Sequence, residues 1–298
     1  MTKKFDLWVI PRLALFLIIP NFLTTPLRIF VEAVIYGKTG APAFVSPGFL
    51  IYAFCAELVF GIGYMIFGYM LPVKNRVLRA LSYMALILVS SYLPNILAMA
   101  GGDGEIIEDA FSAGIVIVDI ISYMLKGLIL GILFKKYDVE SEIIVKSVTT
   151  KKFVILCLIN GLLFAALNYI TDIIFGCFDN SWRLGSILHV STAAETSFYI
   201  VFIAFMFLAG IFLTIWNKWC FPKETSVTGA VLYAVKLSAV VWLPNVLIMA
   251  FFGTSFLKTF TYGAIYVLMF VVCTLVYRKL VSEKRRNHLK NFFVMFHI

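Results

Sequence analysis

Four ionisable side chains stand where an apolar sequence should carry none. Glu57, Asp119, Lys126 and Lys236 each lie well inside a long hydrophobic run. A charge at such depth in hydrocarbon costs roughly 2.5–3.5 kcal/mol on insertion scales, so each needs a partner or a task. Two acids and two bases balance, which fits one or two buried ion pairs, with the lysines partly snorkelling towards one face. The other chemistry open to them is a titrating carboxylate that couples proton or cation movement. Asp119 is the stronger candidate for that role. Ser122, Tyr123 and Lys126 follow it at i+3, i+4 and i+7, which puts them on one helix face. Glu57 shares its face with Ala53, Gly61, Tyr64 and Gly68, a stripe of small residues that suits close helix packing.

A second, uncharged set comes from a repeated phrase. "YLPNIL" at Tyr92–Leu97 returns as "WLPNVL" at Trp242–Leu247. Pro94 and Pro244 have no N–H, and their rings strike the carbonyl four residues back, so each predicts a helix kink. In hydrocarbon the freed acceptors must find new donors. Asn95 and Asn245 supply an amide next to each kink. "NFLT" at Asn21–Thr24 and "NYIT" at Asn168–Thr171 repeat in the same way. Asn21, Thr24, Asn95, Asn168, Thr171 and Asn245 are therefore expected to form equivalent polar clusters in the outer half of the membrane. They serve either as hydrogen-bonded glue between helices or as a solute site reached from outside.

Signals for other chemistry are thin. There is no HExxH, GxSxG, GxxxxGKS or paired-acid signature, and His189, His288 and His297 all fall outside the hydrophobic runs. No CxxC pair occurs among the five cysteines, so neither zinc nor a disulfide framework is indicated. "GGDGEIIEDA" at 101–110 gathers Asp103, Glu105, Glu108 and Asp109 in a spacing unlike an EF-hand loop. No metal and no cofactor is expected.

The elements that carry these residues follow from composition. With 62% hydrophobic residues, 14% charged and a mean hydropathy of +0.97, the chain cannot be clothed in a polar surface. The expected fold is all-α and polytopic in the membrane. Runs of about 20 apolar residues cross a core of roughly 30 Å. Eight are read, at 8–30, 47–71, 77–100, 111–134, 153–176, 195–217, 227–250 and 258–280. Basic residues alternate in phase with them. Of the 25 Lys and Arg, 18 fall in the segments on the side of the N-terminus, and only Arg28, Lys38, Arg183 and Lys258 lie opposite. The positive-inside rule then puts both termini in the cytoplasm, and the expected host is the cell membrane. Lys3 and Lys4 ahead of an apolar run imitate a signal peptide, but Arg12 and Pro20 interrupt it and no small-x-small cleavage site follows, so the first span is expected to stay. The net charge of +9 thus serves topology and anionic headgroups at the basic loops, not nucleic acid.

The repeat extends beyond the motif. At an offset of 150, residues 71–100 match 221–250 at ten of thirty positions, including Pro72, Ala80, Tyr83 and Met99. This divides the chain into a four-helix repeat at 1–134, a basic linker at 135–152, a second repeat at 153–280 and a basic tail at 281–298. Four spans per unit is an even number, so the two units are parallel, related by an axis along the membrane normal. The functional expectation is a small-solute or ion permease with a polar site between the halves. The alternatives are a non-catalytic membrane subunit or scaffold, and a membrane enzyme acting on a lipid-linked substrate. Protein partners, and which solute or ion is carried, are not written in the residues.

Overall fold

A computed structural model of the chain describes residues 7–35, 47–93, 113–134, 148–187, 190–221, 226–251 and 254–295. Among the described residues the regular structure is helical throughout, with no strand. The helices are α1 (Val9–Phe30), α2 (Pro47–Phe67), α3 (Arg76–Ile87), α4 (Ala113–Leu133), α5 (Thr150–Phe178), the single turn α6 (Leu184–Ile187), α7 (Glu195–Cys220), α8 (Val227–Val241), α9 (Leu243–Phe251) and α10 (Phe256–Met295). Six described segments are long and apolar enough to cross a membrane: Val9–Phe30, Leu50–Met70, Val116–Leu133, Thr150–Phe178, Glu195–Cys220 and Phe256–Val281. Large apolar side chains such as Phe22, Leu162, Phe260 and Leu268 are exposed around them, a surface for which lipid is the natural solvent. The chain is a multi-pass membrane protein.

The third and seventh expected spans are both interrupted, and at matching places. Helix α3 passes into a π turn at Leu88–Tyr92, immediately before the Leu-Pro-Asn triplet. Helix α8 ends at Val241, Trp242 forms a turn, and α9 restarts at Leu243. The reason is the proline. Pro244 falls in the first turn of α9, where a missing N–H costs nothing. Pro94 and Asn95 lie outside the described residues. Both interrupted helices also begin alike. Asn75 accepts from the N–H of Val77 and Leu78 at 2.9 and 3.1 Å, and Ser226 accepts from Gly229 N–H at 3.0 Å. These side chains satisfy amides that the first helical turn leaves without partners.

Packing within the bundle follows small residues. Gly127 and Gly131 let α4 approach the α3 backbone so closely that a Cβ would stand 2.9 Å from Leu81 Cα or 2.7 Å from Val77 Cα. Helix α1 rests on α2 and α4, α5 on α7, and α10 on α5, α7, α8 and α9. Across the middle, α2 meets α8 and α9, while the π turn of α3 meets α7. The centre is aromatic. Trp216 is fully buried, with its ring edge-on to Phe67 and Tyr83 at 6.1 and 5.9 Å. Its Nε1 donates to Ser90 Oγ at 3.3 Å.

Candidate functional site

The buried charges of the first repeat assemble into two rungs between α1 and α4. In one rung Asp119 receives Arg28 on Oδ1 and the Tyr92 hydroxyl on Oδ2. In the other, Glu57 of α2 accepts from Asn21 Nδ2 on Oε2 at 2.5 Å. Lys126 Nζ stands 3.1 Å from Oε1 of the same carboxylate, close enough for an ion pair but without the alignment of a hydrogen bond. The spacing of the rungs comes from helix geometry. Asn21 and Arg28 are seven residues apart on α1, as are Asp119 and Lys126 on α4. Seven residues at 1.5 Å each separate the rungs by about 10 Å. The two helices run in opposite directions, so both pairs line up across one seam.

Aromatic rings fill the seam between the rungs. Tyr123 of α4 lies 5.3 Å from the ring of Tyr92, and Lys126 Nζ lies 5.3 Å from the centroid of Tyr123. Tyr52, partly buried, is within electrostatic reach of both Asp119 and Arg28. Access is graded. The Arg28 and Asp119 side chains keep 19% and 11% of their surface, whereas Glu57 keeps 1%. Glu57 and Asp119 thus have different settings: one is almost fully buried and paired to a lysine, the other keeps a little surface and is held by arginine and tyrosine.

The remaining residues singled out in the sequence are scattered. Lys236 is exposed on the outside of α8 and joins neither rung. The base that completes the charge balance is Arg28, which lies near the end of α1 and had been counted with the exterior. Thr24 back-bonds to Pro20 O at 2.9 Å, and Asn168 to Phe164 O at 2.8 Å, so both are spent on their own helices. Thr171 is half-buried near the end of α5. Asn245 donates to Ser91 Oγ in the π turn of α3 and so ties the two repeats together. The expected equivalence of the Asn clusters is therefore not seen in their partners: Asn21 reaches a carboxylate and Asn168 does not. The charged seam belongs to α1, α2 and α4, while the contacts of α2 and α3 with α7, α8 and α9 combine aromatic rings with the Asn245–Ser91 and Trp216–Ser90 hydrogen bonds. The acidic loop 101–110 and His189 lie outside the described residues.

Asp172 was not singled out in the sequence, although it follows Asn168 by one helical turn. It is 3% exposed. Leu184 N–H donates to its Oδ1 at 2.7 Å and Arg183 Nε to its Oδ2 at 3.1 Å. Arg183 continues to Glu195 Oε1 at 2.7 Å and stacks 4.9 Å from the Tyr199 ring centroid. Beside it Lys258 Nζ donates to Ser181 O at 2.5 Å, and the Tyr262 hydroxyl to Trp182 O at 2.6 Å. This network clamps the 179–187 segment over the ends of α5, α7 and α10, and every charge in it is answered locally. A small apolar cavity of about 70 Å³ lies between α8, α9 and α10, lined by Trp242, Leu243 and Tyr266, away from both charged groups.

Compared with known protein families, curated proteins and solved structures, the chain matches none.

Proposed function

We propose that the protein is a small-solute or ion permease, and that the charged seam of the first repeat is its polar site. The observation that carries this reading is the pair of stacked rungs. Purely structural ion pairs need only be buried together, whereas these are stacked in depth along one seam, with side-chain exposures of 19% and 11% for Arg28 and Asp119 and of 14% and 1% for Lys126 and Glu57. A solute bearing a charge, or a proton, entering at the first rung meets an exchangeable partner at the second. Buried, paired ionisable groups in membrane segments commonly mark such pathways.

The same proposal includes eight spans in two parallel repeats, with both termini cytoplasmic and the basic loops against anionic headgroups. Its support is a reciprocal pair of contacts. Tyr83 donates to Phe60 O of α2 at 3.0 Å and sets its ring against Trp216 of α7. Tyr233, 150 positions later, donates to Trp216 O of α7 at 3.2 Å and sets its ring against Phe67 of α2. Helix by helix, exchange of the two repeats turns one description into the other, although the acceptors Phe60 and Trp216 are not at matching positions. In this orientation Arg28 and Asp119 face the exterior.

A non-catalytic membrane subunit is the second reading. It is favoured by the aromatic centre, where Trp216 and Trp242 are both buried. Proteoliposomes carrying a trapped pH dye separate the two. The permease reading expects flux of protons or of one member of a panel of charged solutes, abolished in Glu57→Gln at unchanged protein incorporation. Absence of flux for the whole panel, or flux unaffected by the substitution, overturns it.

A further inference from the structure

The second repeat contains no charged seam, but it does contain a cluster of neutral polar side chains sealed from every solvent. Asn160 of α5, Thr214 and Asn217 of α7, and Thr274 of α10 are each no more than 1% exposed. Among them one hydrogen bond forms, from Asn160 Nδ2 to Thr214 Oγ1 at 2.9 Å, and Thr214 in turn donates to Gly210 O at 3.1 Å. Asn160 Oδ1, both amide atoms of Asn217 and Thr274 Oγ1 have no hydrogen-bond partner within the chain. Buried groups of this kind are nearly always satisfied, so four orphaned atoms in one region call for an occupant.

Helix register brings the four together. Phe164 meets Phe270, and Cys157 is an electrostatic neighbour of Tyr277. Both contacts fit one antiparallel register of α5 on α10, and that register sets Thr274 level with Asn160. Phe221 of α7 meets Tyr277, which sets Asn217 at the same height as Thr274. Helices α5 and α7 are almost in backbone contact here: a Cβ on Gly210 would stand 2.4 Å from Asn160 O. The region is therefore narrow, and main-chain carbonyls are within its wall.

We propose that Asn160, Thr214, Asn217 and Thr274 form a binding site for one dehydrated monovalent cation of the size of sodium. Three of the four orphaned atoms are oxygens, and Asn160 has already committed its only donor group to Thr214. What these oxygens lack is a positive centre. Carboxylates are absent from the set, which disfavours Ca²⁺ and Mg²⁺, hard divalent ions that are normally held by charged oxygen ligands. The nearby Lys218 does not fill the place, because its ammonium lies 4.0 Å over the Phe153 ring. The close approach of α5 and α7 favours the smaller alkali ion over potassium. Neutral amide and hydroxyl oxygens bind such an ion weakly, so half-saturation belongs in the millimolar range. The inference goes beyond the permease reading and does not depend on it.

The test is thermal unfolding of the full-length chain in detergent, in NaCl, KCl or choline chloride at constant ionic strength. Sodium is expected to raise the Tm saturably, with potassium giving less and choline nothing. Asn217→Leu removes two orphaned atoms, so it should keep or raise the Tm in choline and lose the sodium response. Thr274→Val exchanges one hydroxyl for a methyl and should move the half-effect at least tenfold to higher sodium. Glu57→Gln, in the other repeat, should retain the sodium response whatever it does to flux. Equal Tm values in sodium and choline for the unsubstituted chain would overturn the proposal and leave ordered water as the occupant. A sodium response of equal size and midpoint in Asn217→Leu and Thr274→Val would overturn it as well, by placing the ion elsewhere.

Discussion

The two halves of the chain share an aromatic centre and fill the space beside it with different chemistry. The first holds Glu57, Asp119, Arg28 and Lys126 as ion pairs, while the second pairs one buried carboxylate, Asp172, at a helix end and holds Asn160, Thr214, Asn217 and Thr274 as neutral dipoles. The difference teaches which residues belong to the scaffold. Tyr83 and Tyr233 each donate to a carbonyl of the preceding long helix, and Asn75 and Ser226 each cap the start of their helix. Glu57 has no counterpart that does what it does. Asn21 and Asn168 occupy matching motifs, yet only Asn21 has a carboxylate within reach. The joints are common property, and the polar contents are local.

That contrast is most easily broken at Lys126. Its replacement by Met leaves Glu57, almost fully buried, without its countercharge, and such a loss costs roughly 3–5 kcal/mol. Chemical unfolding of Lys126→Met against the unsubstituted chain should show it, and the double variant Lys126→Met/Glu57→Leu should recover most of it. A single variant as stable as the parent would mean that the first repeat is no more dependent on charge than the second.

In the second repeat the largest steric effect is expected at Gly210. A valine there drives atoms into Asn160 O and Gly161, forcing α5 from α7 at a cost of about 1–3 kcal/mol. Gly210→Val should lower the Tm and, by spreading the helices, weaken any ion response of the neutral cluster. The scaffold joints can be compared directly through Tyr83→Phe and Tyr233→Phe. Each removes one buried hydroxyl from a helix carbonyl, worth about 1 kcal/mol, and the two losses should agree within a few tenths. Unequal losses would sharpen the comparison by showing that one repeat relies on its joint more heavily.

The smallest effect belongs to Asp179, exposed beyond the end of α5. The backbone N–H and then the hydroxyl of Ser181, at 2.9 and 2.8 Å, hold its carboxyl below the usual aspartate range. A depressed folded value means that its contribution is present above the unfolded value of about 3.9 and is lost as pH falls through the lower folded one. Asp179→Ala should therefore lower the Tm slightly at neutral pH, with the two Tm-against-pH profiles converging at the acid end.

Much of this was legible in the sequence. Hydropathy located the six long spans, because runs of twenty apolar residues have few other solutions. Charges inside such runs are conspicuous, so Glu57, Asp119 and Lys126 were marked by position alone. Arg28 was not, since a charge near a helix end reads as interfacial, and only the fold of α1 on α4 turns it inward. Lys236 misled for the opposite reason: depth along a span says nothing about which side of the helix faces the neighbours. Asn160, Asn217 and Thr274 escaped notice because neutral polar residues barely alter a hydropathy average. Their significance lies in what they fail to touch, and unmet partners are a property of three dimensions. Pro244 of the Leu-Pro-Asn repeat stands in the first turn of the restarted α9, whereas Pro94 lies outside the described residues and only the π turn of α3 before it is seen.

Trp216 joins both repeats through several bonds at once. Its indole N–H reaches Ser90 in α3, its carbonyl receives Tyr233 from α8, and its ring touches Phe67 and Tyr83. In mechanical language it is a pivot pin. For α7 to slide past α2, α3 or α8, every bond at the pin must break together.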